Sequence, residues 1–204
     1  MTAMTEEQAA DASTLVVRRR SIGRWALFGV TASVVAAVDQ LSKAWVDAGF
    51  PLASTGPPAP GFAAPSPVIG DLVRIAKSYN DGGIFGLFGD SALVLGAASL
   101  AVIAIILVYQ LRQGSISGPL LSLTLGLLLG GAVGNLIDRL RHGYVIDFVD
   151  MGIGDMRWYT FNVADSAISV AIVLLFALSI VGDRLPGGRA PVATARSDAR
   201  DTVR

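Results

Sequence analysis

GGAVGNLIDRLRHGYVIDFVDMGIGDMRWYTFNVADS, residues 130–166, lies between two long apolar runs and decides how the whole chain is read. It carries Asp138, Asp147, Asp155 and Asp165, with Asn135 and Asn162, beside segments apolar enough to lie in lipid. Ionisable groups at a membrane boundary are costly to desolvate, so each calls for a partner or a function.

Working outward, composition supports a membrane setting. The chain has 204 residues, of which 52% are hydrophobic and 16% charged, with a mean hydropathy of +0.59. A soluble domain carries about 25% charged residues. Net charge is zero, so nothing electrostatic argues for nucleic acid. There is no cysteine, which excludes disulfides, cysteine nucleophiles and thiolate metal sites. The single histidine, His142, cannot build a His-rich metal centre and makes a Ser-His-Asp triad a poor reading. No cofactor is expected.

Four apolar spans are predicted, over about 23–44, 91–111, 119–137 and 165–182. Residues 1–22 are polar, contain Arg18, Arg19 and Arg20, and are expected to form a disordered tail, as are 183–204. A cleaved secretory leader is the other reading of the first span, but Asp39 and Lys43 are poor company for a cleavage site. Residues 45–90 and 138–164 become two loops on the opposite side from the termini. The first opens with a Pro/Gly-rich stretch at 51–65 that cannot be a regular helix. Ser66–Asn80 then alternates with β-branched residues, as short strands do. The arginines flanking the first span, Arg112 in the turn between the second and third, and the arginine-rich C-terminal tail place both termini in the cytoplasm. Arg139, Arg141 and Arg157 run against this unless nearby aspartates pair with them. The fold class is therefore an all-α membrane protein of four transmembrane helices. Both polar loops meet at one membrane face.

Asp147 is enclosed by apolar and aromatic neighbours, and Asp165 opens the fourth span. The intervening loop is long enough to bring them together. Two close carboxylates do not both ionise easily, so one holds a proton while the other serves as a base. Such a pair activates water for peptide hydrolysis. On spacing alone, Asp165 as a helix cap and Asp147 as an arginine's partner fit as well. Asp138, next to Arg139, reads as part of an orienting ion-pair network. Asp39 and Lys43, four apart, read as an ion pair on the first helix. Asn80 and the glycines after it form either a peptide-presenting turn or a plain surface turn. Gly130, Gly131 and Gly134 suit close helix packing. Ser42 and Lys43 are adjacent on a helix and diverge, which excludes a Ser-Lys protease. Carboxylates at helix ends rather than mid-membrane argue against a proton-coupled transporter. A non-enzymatic membrane scaffold remains as the other alternative.

Gly152-Ile153-Gly154-Asp155 resembles the GxGD motif of presenilin-like proteases, but it lies in a polar loop and the chain has no Tyr-Asp dipeptide. Met151–Phe161, with Trp158 and Tyr159, reads as an interfacial segment.

Five motifs occur in order: Asp39-Gln40-Leu41-Ser42-Lys43; Asn80-Asp81-Gly82-Gly83-Ile84-Phe85-Gly86; Gly130–Arg139; Val145-Ile146-Asp147-Phe148; and Phe161–Ser166. As a set, over roughly residues 25–182, they resemble the bacterial lipoprotein signal peptidases, signal peptidase II. The resemblance implies a four-helix inner-membrane aspartyl endopeptidase, a monomer sensitive to globomycin. Its substrates would be diacylglyceryl-modified prolipoproteins, cut just before the lipidated cysteine, with membrane lipids as its other partners. It assigns catalysis to Asp147 and Asp165. Substrate binding and support fall to Asn80, Gly82, Asn135, Arg139 and Asn162, backed by Asp39, Lys43 and Asp138. It also implies an extracytoplasmic β-cradle over about 66–85 and a short interfacial helix over about 150–158. The long N-terminal tail, the 51–65 stretch and Gly83-Ile84 depart from the family pattern.

Overall fold

The computed structural model describes residues 6–55, 59–81, 92–113 and 118–182. Four helices are long and apolar enough to cross a membrane. They belong to α1 (Glu6–Gly49), α2 (Ala92–Gln113), α3 (Pro119–His142) and α4 (Val163–Gly182). α3 is the axis of the bundle: 56% of its apolar window is buried, against 11% for α1 and α4 and 17% for α2. The outer three present valine, leucine and isoleucine outward, as lipid-facing helices do.

Small residues let the helices close on α3. A β-carbon on Gly130 would sit 2.7 Å from the Ala32 carbonyl oxygen of α1, and one on Gly131 would sit 2.6 Å from that of Ala164 in α4. Gly126 faces α1 in the same way, so Gly126 and Gly130 form a small-xxx-small seam. Gly131→Ala is therefore expected to push α4 away and cost roughly 1–3 kcal/mol. A lowered unfolding midpoint in detergent is the check.

Outside the helices lies a four-stranded antiparallel sheet in the order β1-β2-β3-β4. Its strands are β1 (Ser66–Ile69), β2 (Val73–Asn80), β3 (Val145–Ile153) and β4 (Met156–Arg157). Gly143 ends α3 in the left-handed region at φ 81°, its N–H donating to the Arg139 carbonyl, and so turns the chain directly into β3. The β2–β3 register sets Asn80 opposite Val145 and Ser78 opposite Asp147.

The structure changes two sequence expectations. Helix α1 begins at Glu6, within the stretch expected to be a disordered tail. Glu6-Glu7-Gln8-Ala9-Ala10 are good helix formers joined to an existing helix, so they extend it without a new nucleation cost. Residues 150–158 are not an interfacial helix but the β3–β4 hairpin, turning at Gly154 with φ 56°. Gly152 and Gly154 are poor helix residues, and Gly152 has no side chain to collide with the Met156 carbonyl across the hairpin. The Pro/Gly-rich loop is partly tied down, because Ala53 N–H donates to the Lys77 carbonyl of β2 at 3.0 Å.

Candidate active site

The site assembles where the N-terminus of α4 meets the end of α3 and the start of β3. Asn162 caps α4: its side-chain oxygen accepts the Asp165 N–H at 2.9 Å, while an Asp165 carboxylate oxygen accepts the Asn162 N–H at 3.2 Å. This reciprocal capping box fixes the Asp165 carboxyl at the helix mouth. The next orphan donor, Ala164 N–H, is taken by Asp39 of α1 at 2.9 Å. Asp165 is thus a capping residue as well as a site residue, and the two readings of it do not compete.

Asp147 points from β3 to the same place. Its two oxygens accept from Asn80 Nδ2 at 2.9 Å and Asn162 Nδ2 at 2.7 Å. Its bonded partners are asparagines, not the arginine that spacing alone allowed. Asn135 of α3 completes the frame, donating Nδ2 to Asp165 Oδ1 at 2.7 Å. Asn135 Oδ1 accepts from Asn162 Nδ2 at 3.1 Å and from Lys43 Nζ at 3.0 Å. Both carboxyls are therefore held from the protein side by one connected set of amides.

Beneath this frame lies a buried ionic cluster. Lys43 Nζ sits 2.8 Å from Asp39 and 2.9 Å from Asp138, and all three side chains are almost fully buried. The Asp39–Lys43 pair expected on α1 exists, but inside the bundle rather than at the interface. Asp138 does not act as Arg139's partner. It takes Lys43, Gln40 Nε2 at 2.8 Å and the Ile146 N–H at 3.1 Å. Successive helix residues point about 100° apart; Asp138 faces the core, whereas Arg139 lines the cavity and donates to the Asn135 carbonyl at 3.3 Å.

Asp147, Asp165, Asn80, Asn135 and Arg139 line one end of a cavity of about 710 Å³. Its other wall is apolar, formed by Ile168, Val170 and Ile172 along α4 and by Tyr159 and Phe161. Burial, with the nearby Asp165 carboxylate, pushes the Asp147 carboxyl up to about 7, against the lowering effect of the Asn80 and Asn162 hydrogen bonds. Such a group exchanges a proton near neutrality, as acid–base catalysis requires.

Of the residues expected at the site, Gly82 lies outside the described residues. The rest converge, and Asp155 stays apart at the hairpin turn. Two contributors were not singled out from sequence. Gln40 reaches 94 positions along the chain to the Gly134 carbonyl at 3.1 Å. Asp150, fully buried, pairs with Arg74 at 2.6 Å and Arg157 at 2.9 Å. An acid inside an apolar strand, three residues from Asp147 and hence on the other sheet face, was its only sequence signal.

Four helices able to cross a membrane, with two carboxyls opening onto a largely apolar cavity, fit a multi-pass membrane enzyme. The family described as signal peptidase (SPase) II matches residues 31–181. The lipoprotein signal peptidase of Moorella thermoacetica is 40% identical over 148 residues, covering 72% of this chain and 89% of that one. The one from Oleidesulfovibrio alaskensis is 42% identical over 145 residues, covering 68% and 85%. Among solved structures, a bacterial membrane enzyme shares the fold at a TM-score of 0.65 and 21% identity, over 79% of this chain and 92% of that one. This chain belongs to the signal peptidase II family of membrane peptidases.

Proposed function

We propose that the chain is an aspartic endopeptidase that removes the signal peptide from diacylglyceryl-modified prolipoproteins, cutting on the N-terminal side of the lipidated cysteine. The observation that carries this reading is the joint placement of Asp147 and Asp165 at the polar end of a cavity whose other wall is membrane-type apolar surface. The lipid of the substrate lies along the α4 wall, which sets the scissile bond beside the carboxyls. One proton is shared by the pair at neutral pH. The unprotonated carboxylate takes a proton from water, whose oxygen attacks the peptide carbonyl. The other carboxyl protonates the amine as the C–N bond breaks, leaving a carboxylic acid on the signal peptide and a free amine on the cysteine. Asn80, Asn135 and Asn162 hold the carboxyls, and Arg139 holds the peptide. The arginine distribution puts both termini in the cytoplasm and the site at the outer face of the inner membrane. The enzyme acts as a monomer.

A proton-coupled carrier needs carboxylates in mid-membrane, whereas Asp147 lies on a strand outside the spans and Asp165 in the first turn of α4. Incubating the purified protein with a lipidated prolipoprotein tests the proposal: cleavage before the cysteine, blocked by globomycin, is expected, and an intact substrate overturns it. The rate also carries a pH signature. Asp147 loses its proton as pH rises through about 7, and a fully ionised pair has no acid for the leaving amine. kcat/KM should therefore fall from roughly pH 7 to 9, as read from a pH–rate profile in detergent.

A further inference from the structure

A second cavity, of about 810 Å³, lies against the β3–β4 hairpin, and Trp158 and Phe161 line both it and the cavity that holds Asp147 and Asp165. We propose that this second cavity is the subsite for the first few residues on the C-terminal side of the scissile bond, and that it favours apolar side chains there. The proposal rests on the peptidase reading above and adds a specificity determinant to it.

A peptide crossing the carboxyl pair has two ends, and the two cavities form two arms that share Trp158 and Phe161 as lining. One arm descends along Ile168, Val170 and Ile172 of a membrane-spanning helix and suits lipid and signal peptide. The other is built wholly from residues outside the spanning helices, 72 and 151–161. The remainder of a secreted chain must go to water, and that arm carries no residue of a spanning helix.

Leu72, Met151 and Met156 give the arm an apolar floor, and all three are exposed in the free protein. Apolar side chains of an extended peptide gain by covering them. Arg157 forms part of the same wall, but its charge is already committed: Nε donates to Asp150 at 3.0 Å and Nη1 to the Asp71 carbonyl at 2.7 Å. The hairpin is thereby bracketed to β2 through the buried Asp150, which Arg74 grips from the other side. The arm is a fixed surface, so binding to it costs little ordering of the protein.

The test uses two diacylglyceryl-modified peptides that are identical through the cysteine. The next five residues are Ser/Gly in one and alternating Leu/Val in the other. Wild type should favour the Leu/Val peptide by about tenfold in kcat/KM, chiefly through KM. Leu72→Asp and Met156→Asp, which lie only in the second cavity, should erase that preference by raising KM for the Leu/Val peptide about tenfold more than for the Ser/Gly peptide. Equal cleavage of both peptides by wild type overturns the subsite. So does an equal loss on both peptides in the variants, which is what a hairpin serving only to touch the bilayer gives. Failure of wild type to cut either peptide overturns the peptidase reading and this inference with it.

Discussion

Lys43→Met is expected to deplete the folded protein from the membrane. The substitution keeps most of the side-chain volume but removes the ammonium lying 2.8 Å from Asp39 and 2.9 Å from Asp138. Two carboxylates, both inside the protein, then face each other without a cation. Breaking a buried ion pair from one side costs about 3–5 kcal/mol, a large share of the roughly 5–15 kcal/mol that holds a domain together. The damage spreads, because Asp39 caps α4 through Ala164 and Asp138 holds the Ile146 N–H at the start of β3. Lys43 also donates to Asn135, so the amide frame loosens with it. Yield and melting midpoint in detergent are the measurements. Adding Asp39→Asn and Asp138→Asn to Lys43→Met should recover part of the loss, since asparagine oxygens still accept from both backbone N–H groups while the stranded charges are gone. An unchanged midpoint in the single variant contradicts this account.

Asp147→Asn should do the opposite: preserve the fold and abolish cleavage. In the unfolded chain an aspartate titrates near 3.9, whereas burial and the Asp165 carboxylate push Asp147 up to about 7 in the folded protein. The folded state therefore binds this proton more tightly. The stability it contributes is complete below the unfolded value and is lost as pH rises through about 7. Asparagine carries no such charge, so the variant should melt at the same temperature as wild type or higher at mildly alkaline pH. Its cleavage should nevertheless fall by about 10³-fold or more, the scale of an essential acid or base. A purely structural role for Asp147 predicts the reverse, a lowered midpoint with activity falling only in proportion.

The spans and the meeting of Asp147 and Asp165 at one cavity were legible in sequence, for different reasons. Apolar runs long enough to cross a bilayer are a local property, and the helices formed where they lie, with α3 continuing to His142. Asp147 and Asp165 stood out because carboxylates at a lipid boundary need a reason to be there. Their partners were less legible. The bond from Asp39 to Ala164 spans 125 positions and that from Gln40 to Asp138 spans 98, and no local pattern encodes either. Asp138 was misassigned to Arg139 because adjacency in sequence was read as contact, whereas a helix sends neighbours to different faces. The family resemblance implies a helix over 150–158, where the structure has a hairpin, and the aromatic and apolar residues there suit an interface in either conformation. What distinguishes the two is the pair of glycines and the ionic bracket of Arg74, Asp150 and Arg157, whose three members come from three different strands.

The central claim is that Asp147 and Asp165 act as one unit on one peptide bond. It is tested most directly by single-turnover cleavage of a diacylglyceryl-modified prolipoprotein by wild type, Asp147→Asn, Asp165→Asn and the double variant, each shown by melting to be folded. Groups that act as a unit are non-additive. Each single variant should lose about 10³-fold or more, and the double variant should lose no more than the worse single. Full cleavage by either single variant, or losses that multiply in the double, would contradict it.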